Sequence, residues 1–279
     1  MTPTTIQSTK ARKLSGTFHT PDATAERAIV IHPATGVPAA FYTAFAAWVA
    51  ETHRALVLTY DYRDFAASAA GPVARSDATM SDWGIDDQSA ALDHLIAALP
   101  DVPVWTIGHS LGGFMLPFHA QANRVERHFA IASGPAHWTR HPASFIVQAV
   151  SFWWLVGPAA TLALGYLPGK ALGMGADLPG PAYWQWRRWC TSSEFYRSDF
   201  GAVFEPPDLD RIDARVDLVG IADDVMIPPR VVAGLADFFP EGTSRYRTVD
   251  PRDHGLSRVG HIHPFHARNA ALWPALISA

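Results

Sequence analysis

Val102-Pro-Val-Trp-Thr-Ile-Gly-His-Ser-Leu-Gly-Gly113 is the stretch on which the fold turns. Residues 102–107 form a short apolar run that reads as a buried strand, and Gly108-His109-Ser110-Leu111-Gly112 follows it directly. Residues 111–122 then read as a helix. A serine on a sharp strand-to-helix turn is crowded by any Cβ two positions away, which gives the two flanking glycines a mechanical reason. The pattern predicts a raised, activated hydroxyl at Ser110; the competing interpretation is an ordinary tight turn.

Outward from this stretch, the same alternation repeats. Residues 28–32 and 55–60 are apolar runs, each followed by helical spacing: Phe41, Phe45, Trp48 and Val49 after the first, Leu92, Leu95, Ile96 and Leu99 after the second. Residues 129–132 supply a fourth strand. The pattern stops at 134–200 and resumes with a strand at 216–220, a helix at 229–239, a strand at 245–249 and a helix at 265–277. Continuous apolar strands alternating with amphipathic helices predict an α/β fold, a mostly parallel sheet covered on both faces. The core is expected in residues 1–133 and 201–279, with 134–200 as a helical, tryptophan-rich cap.

Bulk properties are compatible with such an enzyme-sized fold. The chain has 279 residues, 48% hydrophobic and 17% charged, enough apolar material for a large core. With 22 Lys and Arg against 26 Asp and Glu the net charge is −4, which disfavours nucleic acid as a partner. A single cysteine, Cys190, excludes an intramolecular disulfide. Together with the lack of a secretory leader pattern, it favours a cytoplasmic location.

A serine nucleophile needs a base, and the base needs a third group that fixes its tautomer. In this architecture the order along the chain is serine, acid, histidine. Asp224 is the candidate acid, at the end of the 216–220 strand, with its neighbour Asp223 as the alternative. Four histidines follow; His261, between the last strand and the last helix, is the candidate base, and His263 the alternative. His261, His263 and His266 could also converge on a metal, but no Cys or carboxylate lies near them in sequence, so neither metal nor cofactor is expected. Two backbone N–H groups should receive the oxyanion: that of Leu111, and one from His32-Pro-Ala-Thr-Gly36, where Ala34 is preferred over Thr35.

These residues resemble the α/β-hydrolase superfamily, and within it bacterial hydrolases related to serine aminopeptidase-like and monoacylglycerol lipase-like enzymes. Besides 108–113, the resemblance rests on His32-Pro-Ala-Thr-Gly36, Asp61-Tyr-Arg63, Ser81-Asp-Trp-Gly84, Arg187-Arg-Trp-Cys190 and Gly260-His261. It covers nearly the whole chain after about residue 15 and implies a Ser-Asp-His hydrolase. Asp64 and Ala66 depart from the family pattern, standing where glycines are usual, so a different path is expected for that loop.

The 134–200 insertion bears on substrate. It carries six of the ten tryptophans. Trp153, Trp154 and Trp184 are the candidate substrate-binding residues, favouring a small molecule with a lipophilic acyl group; the plainer alternative is that they pack the cap onto the sheet. Arg187 and Arg188 could bind an anion or simply be solvated. An uncharged stretch at 141–169 is long enough to raise a membrane span, but Gly157-Pro158 should split it into two helices, leaving weak contact with a membrane surface as the alternative. The expected activity is ester hydrolysis through an acyl-enzyme. A thioesterase or acyltransferase would use the same residues, and a binding protein would keep the fold without the reaction.

Overall fold

The computed structural model describes residues 1–278. Ten strands run in chain order as β1 (Thr2–Gln7), β2 (Lys13–His19), β3 (Arg27–His32), β4 (Ala55–Tyr60), β5 (Val104–His109), β6 (Val125–Ile131), β7 (Tyr166–Leu167), β8 (Leu178–Pro179), β9 (Arg215–Ile221) and β10 (Ser244–Val249). Eight form one sheet in the order β1-β2-β4-β3-β5-β6-β9-β10, while β7 and β8 make a small antiparallel ribbon. From β4 to β10 every pairing is parallel, and β1–β2 and β2–β4 are antiparallel. The α/β expectation and the mostly parallel sheet are therefore observed.

Adjacent residues in the central strands enter opposite cores. Val30 and Leu58 pack on one face, with Leu92 and Leu95 of α2 (Gln88–Ala98). Ile29, Val57 and Ile107 pack on the other, with Phe45 and Val49 of α1 (Thr43–His53). Burial on both faces is why these strands are unbroken apolar runs. The antiparallel hairpin β1–β2 has no such run, because β1 exposes four of its six residues to solvent. A threonine-rich edge strand is held by its ladder more than by core burial.

Three helical expectations change. Residues 111–122 form separate 3₁₀ turns, Ser110–Gly113, Leu116–Phe118 and Ala122–Arg124, instead of one α-helix. Pro117 lacks a donor and its ring would meet the carbonyl four residues back, while Gly112-Gly113 is a poor helix former. The C-terminal helix is likewise reduced, to 3₁₀ turns at His263–Phe265 and Ala267–Leu272 and a short α7 (Trp273–Leu276), interrupted by Pro264, Pro274 and a non-helical Asn269.

The third change is in the opposite sense: Gly157-Pro158 does not split the apolar stretch. Ala143–Leu164 is one continuous helix of 22 residues, made of α3 (Ala143–Val150), a π turn at Ser151–Val156 and α4 (Gly157–Leu164). In the π turn Gly157 N–H donates to the Phe152 carbonyl, five residues back. Continuing that register would pair the Trp153 carbonyl with residue 158, a proline without N–H. Arg187 Nε, from α5 (Gly180–Thr191), donates to that carbonyl instead at 2.6 Å. A tertiary donor thus carries the helix across a proline that ordinarily leaves an acceptor unmatched.

The loop after β4 also differs from expectation. Asp64 (φ +55°) and Ala66 (φ +46°) both lie in the left-handed region. The loop keeps a glycine-like backbone with L residues in it, a cost of about 1 kcal/mol or more at Ala66. Asp64 offsets its share by accepting from Ser76 Oγ at 2.7 Å.

Candidate active site

Ser110 sits at the carboxyl end of β5 with φ +54°, half-buried, where the chain turns sharply into the Ser110–Gly113 turn. Both glycines of the motif lie against backbone: a Cβ on Gly108 would lie 2.1 Å from the Gly112 carbonyl oxygen, and one on Gly112 would lie 2.2 Å from that of His32. No side chain fits in either place, so the strained serine is held by close backbone approach. Ser133 Oγ, at the end of β6, donates to the Ser110 carbonyl at 2.6 Å and ties the elbow to the next strand.

The two aspartates after β9 take different tasks. Asp224 Oδ2 accepts from His261 Nδ1 at 2.8 Å, and its Oδ1 accepts from the N–H groups of Met226 and Ile227 at 2.8 and 2.9 Å. Asp223 turns away and accepts from Val259 N–H at 2.7 Å and Gly260 N–H at 3.0 Å, clamping the loop that carries the histidine. One aspartate orients the imidazole and its neighbour orients the backbone. His263 lies in a 3₁₀ turn beside His266, ring centroids 6.1 Å apart. With Nδ1 donating to Asp224, His261 Nε2 is left as the basic nitrogen. Ser110 Oγ and His261 make no hydrogen bond to each other among the described residues; such contacts commonly tighten only around a bound substrate.

Beneath these residues runs a buried chain of hydrogen bonds that sequence reasoning did not anticipate. The His261 carbonyl can only accept, so His109 Nε2, 2.9 Å away, carries the proton and donates. Burial holds the His109 imidazole neutral, its pKa well below the ordinary histidine value. His109 Nδ1 must then accept, and it does so from Tyr42 Oη at 2.7 Å. Tyr42 Oη in turn accepts from the Ala34 N–H at 3.0 Å. The loop that carries His261 and the loop after β3 are thereby linked through His109.

That chain also displaces one candidate. The Ala34 N–H is taken by Tyr42, so it is not the free donor expected of it; Thr35 N–H has no hydrogen-bond partner among the described residues, and Thr35 borders the same space as Ser110 and Leu111. Tyr62 Oη steadies the loop by donating to the Pro33 carbonyl at 2.7 Å.

The space beside Ser110 is small, about 20 Å³, room for a single water, and its walls are mainly apolar: Met80, Phe114, Trp186, Cys190, Phe195 and Ile227. Of the tryptophans in the cap, Trp186 reaches it and the three candidates do not. Trp153 is buried edge-on to Trp186, Trp184 packs on Tyr183, and Trp154 points outward. Helical spacing from Trp153 and Tyr183 could have indicated sidedness, but only tertiary packing shows which side faces the serine. The two arginines of α5 are also occupied. Arg187 holds the Trp153 carbonyl and Arg188 pairs with Asp199 at 2.6 Å.

A model of the family described as serine aminopeptidase, S33 matches residues 23–170. The chain belongs to that family, within the α/β hydrolases. Solved structures agree on the fold over the whole chain at low identity. A hydrolase from Pseudomonas aeruginosa is 16% identical (TM-score 0.58, covering 99% of this chain and 98% of that one). A thermophilic esterase from Thermogutta terrifontis is 14% identical (0.56, 99% and 97%), and an esterase from Exiguobacterium antarcticum 12% identical (0.61, 100% and 98%). No curated protein matches in sequence.

Proposed function

We propose that this α/β hydrolase cleaves carboxylic esters with a lipophilic acyl group, through Ser110, His261 and Asp224. The observation that carries the reading is the Asp224–His261 pair at 2.8 Å on a loop bonded to the elbow of a left-handed serine. Ser110 Oγ attacks the acyl carbon and its proton passes to His261 Nε2, while Asp224 stabilises the imidazolium. The carbonyl oxygen, now an oxyanion, is received by the N–H groups of Leu111 and Thr35. The imidazolium then protonates the departing alkoxide. Water repeats the sequence on the acyl-enzyme and frees the acid and the serine.

The apolar walls favour a hydrocarbon acyl chain over a charged one. An acyl chain seated against these walls would contact Trp186 of α5. The test is a series of nitrophenyl esters of graded chain length together with a fluorophosphonate probe. Labelling and turnover should both vanish in Ser110→Ala, with a preference for apolar acyl groups. A folded wild-type protein that neither labels nor hydrolyses any ester in the series overturns the reading.

A further inference from the structure

The 22-residue helix has two unlike sides. Ala149, Trp153, Gly157 and Thr161 form the buried stripe. Gly157 sets the closeness of the contact, because a Cβ there would lie 2.2 Å from Tyr183 Oη. The helix therefore lies flat along α5 and, so packed, cannot run through a bilayer, although its length and composition would allow it. On the other side Val147 is 77% exposed, Leu155 65%, Leu162 76% and Trp154 40%. Folding alone does not account for a contiguous apolar face left in water.

The surroundings of this face are basic. From Glu126 to Asp177 the chain carries no acidic side chain between those two, on a protein whose net charge is −4. Arg140 precedes the helix, and Arg230 reaches the Arg140 carbonyl from α6 (Pro229–Ala233). The Arg187 guanidinium lies 5.8 Å from the centre of the Trp154 ring, and Lys170 follows the helix. None of these four cations forms an ion pair among the described residues. Asp177, the nearest acid after the helix, accepts from the Lys170 backbone N–H.

We propose that the outer face of helix 143–164 docks in the plane of an anionic lipid bilayer, with Val147, Leu155 and Leu162 entering the acyl boundary. Trp154 sits at headgroup depth, and Arg140, Arg187 and Arg230 meet the lipid anions. An apolar stripe bordered by tryptophan and by cations without an anionic partner suits a negatively charged interface, since tryptophan favours the headgroup level and each cation adds attraction. A second copy of the chain would bring the same unpaired cations together, and like charge would oppose that contact. The bound surface would lie one layer from the reacting serine, because Trp153 beneath the helix packs against Trp186, which lines the cavity.

Co-sedimentation of the full chain with vesicles tests this. The wild-type protein should pellet with phosphatidylcholine vesicles containing phosphatidylserine and at least tenfold more weakly with phosphatidylcholine alone. Leu155→Glu combined with Leu162→Glu should abolish binding, and Arg140→Gln should weaken it about fivefold. Both leucines are exposed, so circular dichroism and turnover of a short soluble ester should stay unchanged in the double variant. A wild type that remains in the supernatant with both vesicles overturns the proposal. So does equal binding to both, or a double variant that pellets like the wild type. A self-associated species dissolved by the double variant, without vesicle binding, assigns the face to a second copy and equally overturns it. The readout is independent of hydrolysis, so vesicle binding by an inactive chain would refute the proposed reaction and leave this inference standing.

Discussion

Under the elbow, Asp224, His261, His109 and Tyr42 are joined by directional bonds of 2.7 to 2.9 Å, sealed from solvent, so that each atom has one role. On helix 143–164, one aromatic layer away, the exposed side is held by no directional bond at all. The first region depends on the identity of single atoms; the second depends on summed area and charge, to which each residue adds only a part. Changes under the elbow should therefore act through chemistry and stability together, and changes on the helix face through neither.

The largest effect is expected at the acid. Asp224→Ala removes the acceptor that fixes the imidazole and should lower kcat about 10⁴-fold. Asp223→Ala, which loses only the backbone clamp on the His261 loop, should cost far less. Steady-state kinetics of the two variants check the division of labour, and equal losses would break it.

Acid should weaken the buried region next. His32, His109, His119 and His128 are all held neutral by burial, with the His119 pKa lowered to about 3 and that of His128 to about 4 from an ordinary 6.5. As pH falls the unfolded chain takes up these protons before the folded one does. The stability they contribute is complete above about pH 6.5 and is lost as pH falls below it, down to about pH 4 for His128 and about pH 3 for His119, at up to about 1.4 kcal/mol per pH unit for each histidine. Urea unfolding midpoints across that range measure the slope, and a flat profile would contradict the buried, neutral assignment.

Tyr42→Phe removes the hydroxyl between Ala34 and His109 but keeps the ring. It should lower kcat about tenfold with KM nearly unchanged, and cost about 1 kcal/mol of stability. The smallest effect belongs to the helix: Leu162→Ser should change stability by no more than about 0.5 kcal/mol and leave soluble-ester turnover as it was.

The division between the regions also explains what could be read in advance. Strands β3 to β6 and β9 were legible because burial on both faces writes a mainly apolar run; β10, an edge strand in which only Val249 is buried, was legible from its place after a helix. Of the candidate site, the places of Ser110 after β5 and of Asp224 after β9 were legible from the strands they follow, and the Asp224–His261 contact joins two residues chosen from chain order. The N-terminal hairpin was not legible, because β1 is polar on the side it shows to water. The expected helix after the elbow is broken at Pro117, a signal present in the sequence itself. The opposite error at Pro158 had no local remedy, since the donor that rescues the helix comes from Arg187, 29 positions onward. Thr35 rather than Ala34 is left free because Tyr42 reaches back to the loop, and the inward tryptophan is Trp186 because α5 presents that side. Composition says how many aromatic rings a cap holds and nothing about which way each one turns.

The hairpin that escaped detection is tied to the fold by more than its ladder. Ser8 Oγ donates to Asp87 at 2.6 Å, Lys10 Nζ pairs with Asp82 at 2.9 Å, and the buried Arg63 guanidinium donates to Ser8 and Thr9 while pairing with Asp87 at 2.7 Å. On the ribosome, then, this ribbon has no complete seat until residue 87 has cleared the exit tunnel, and it stays unanchored through that interval.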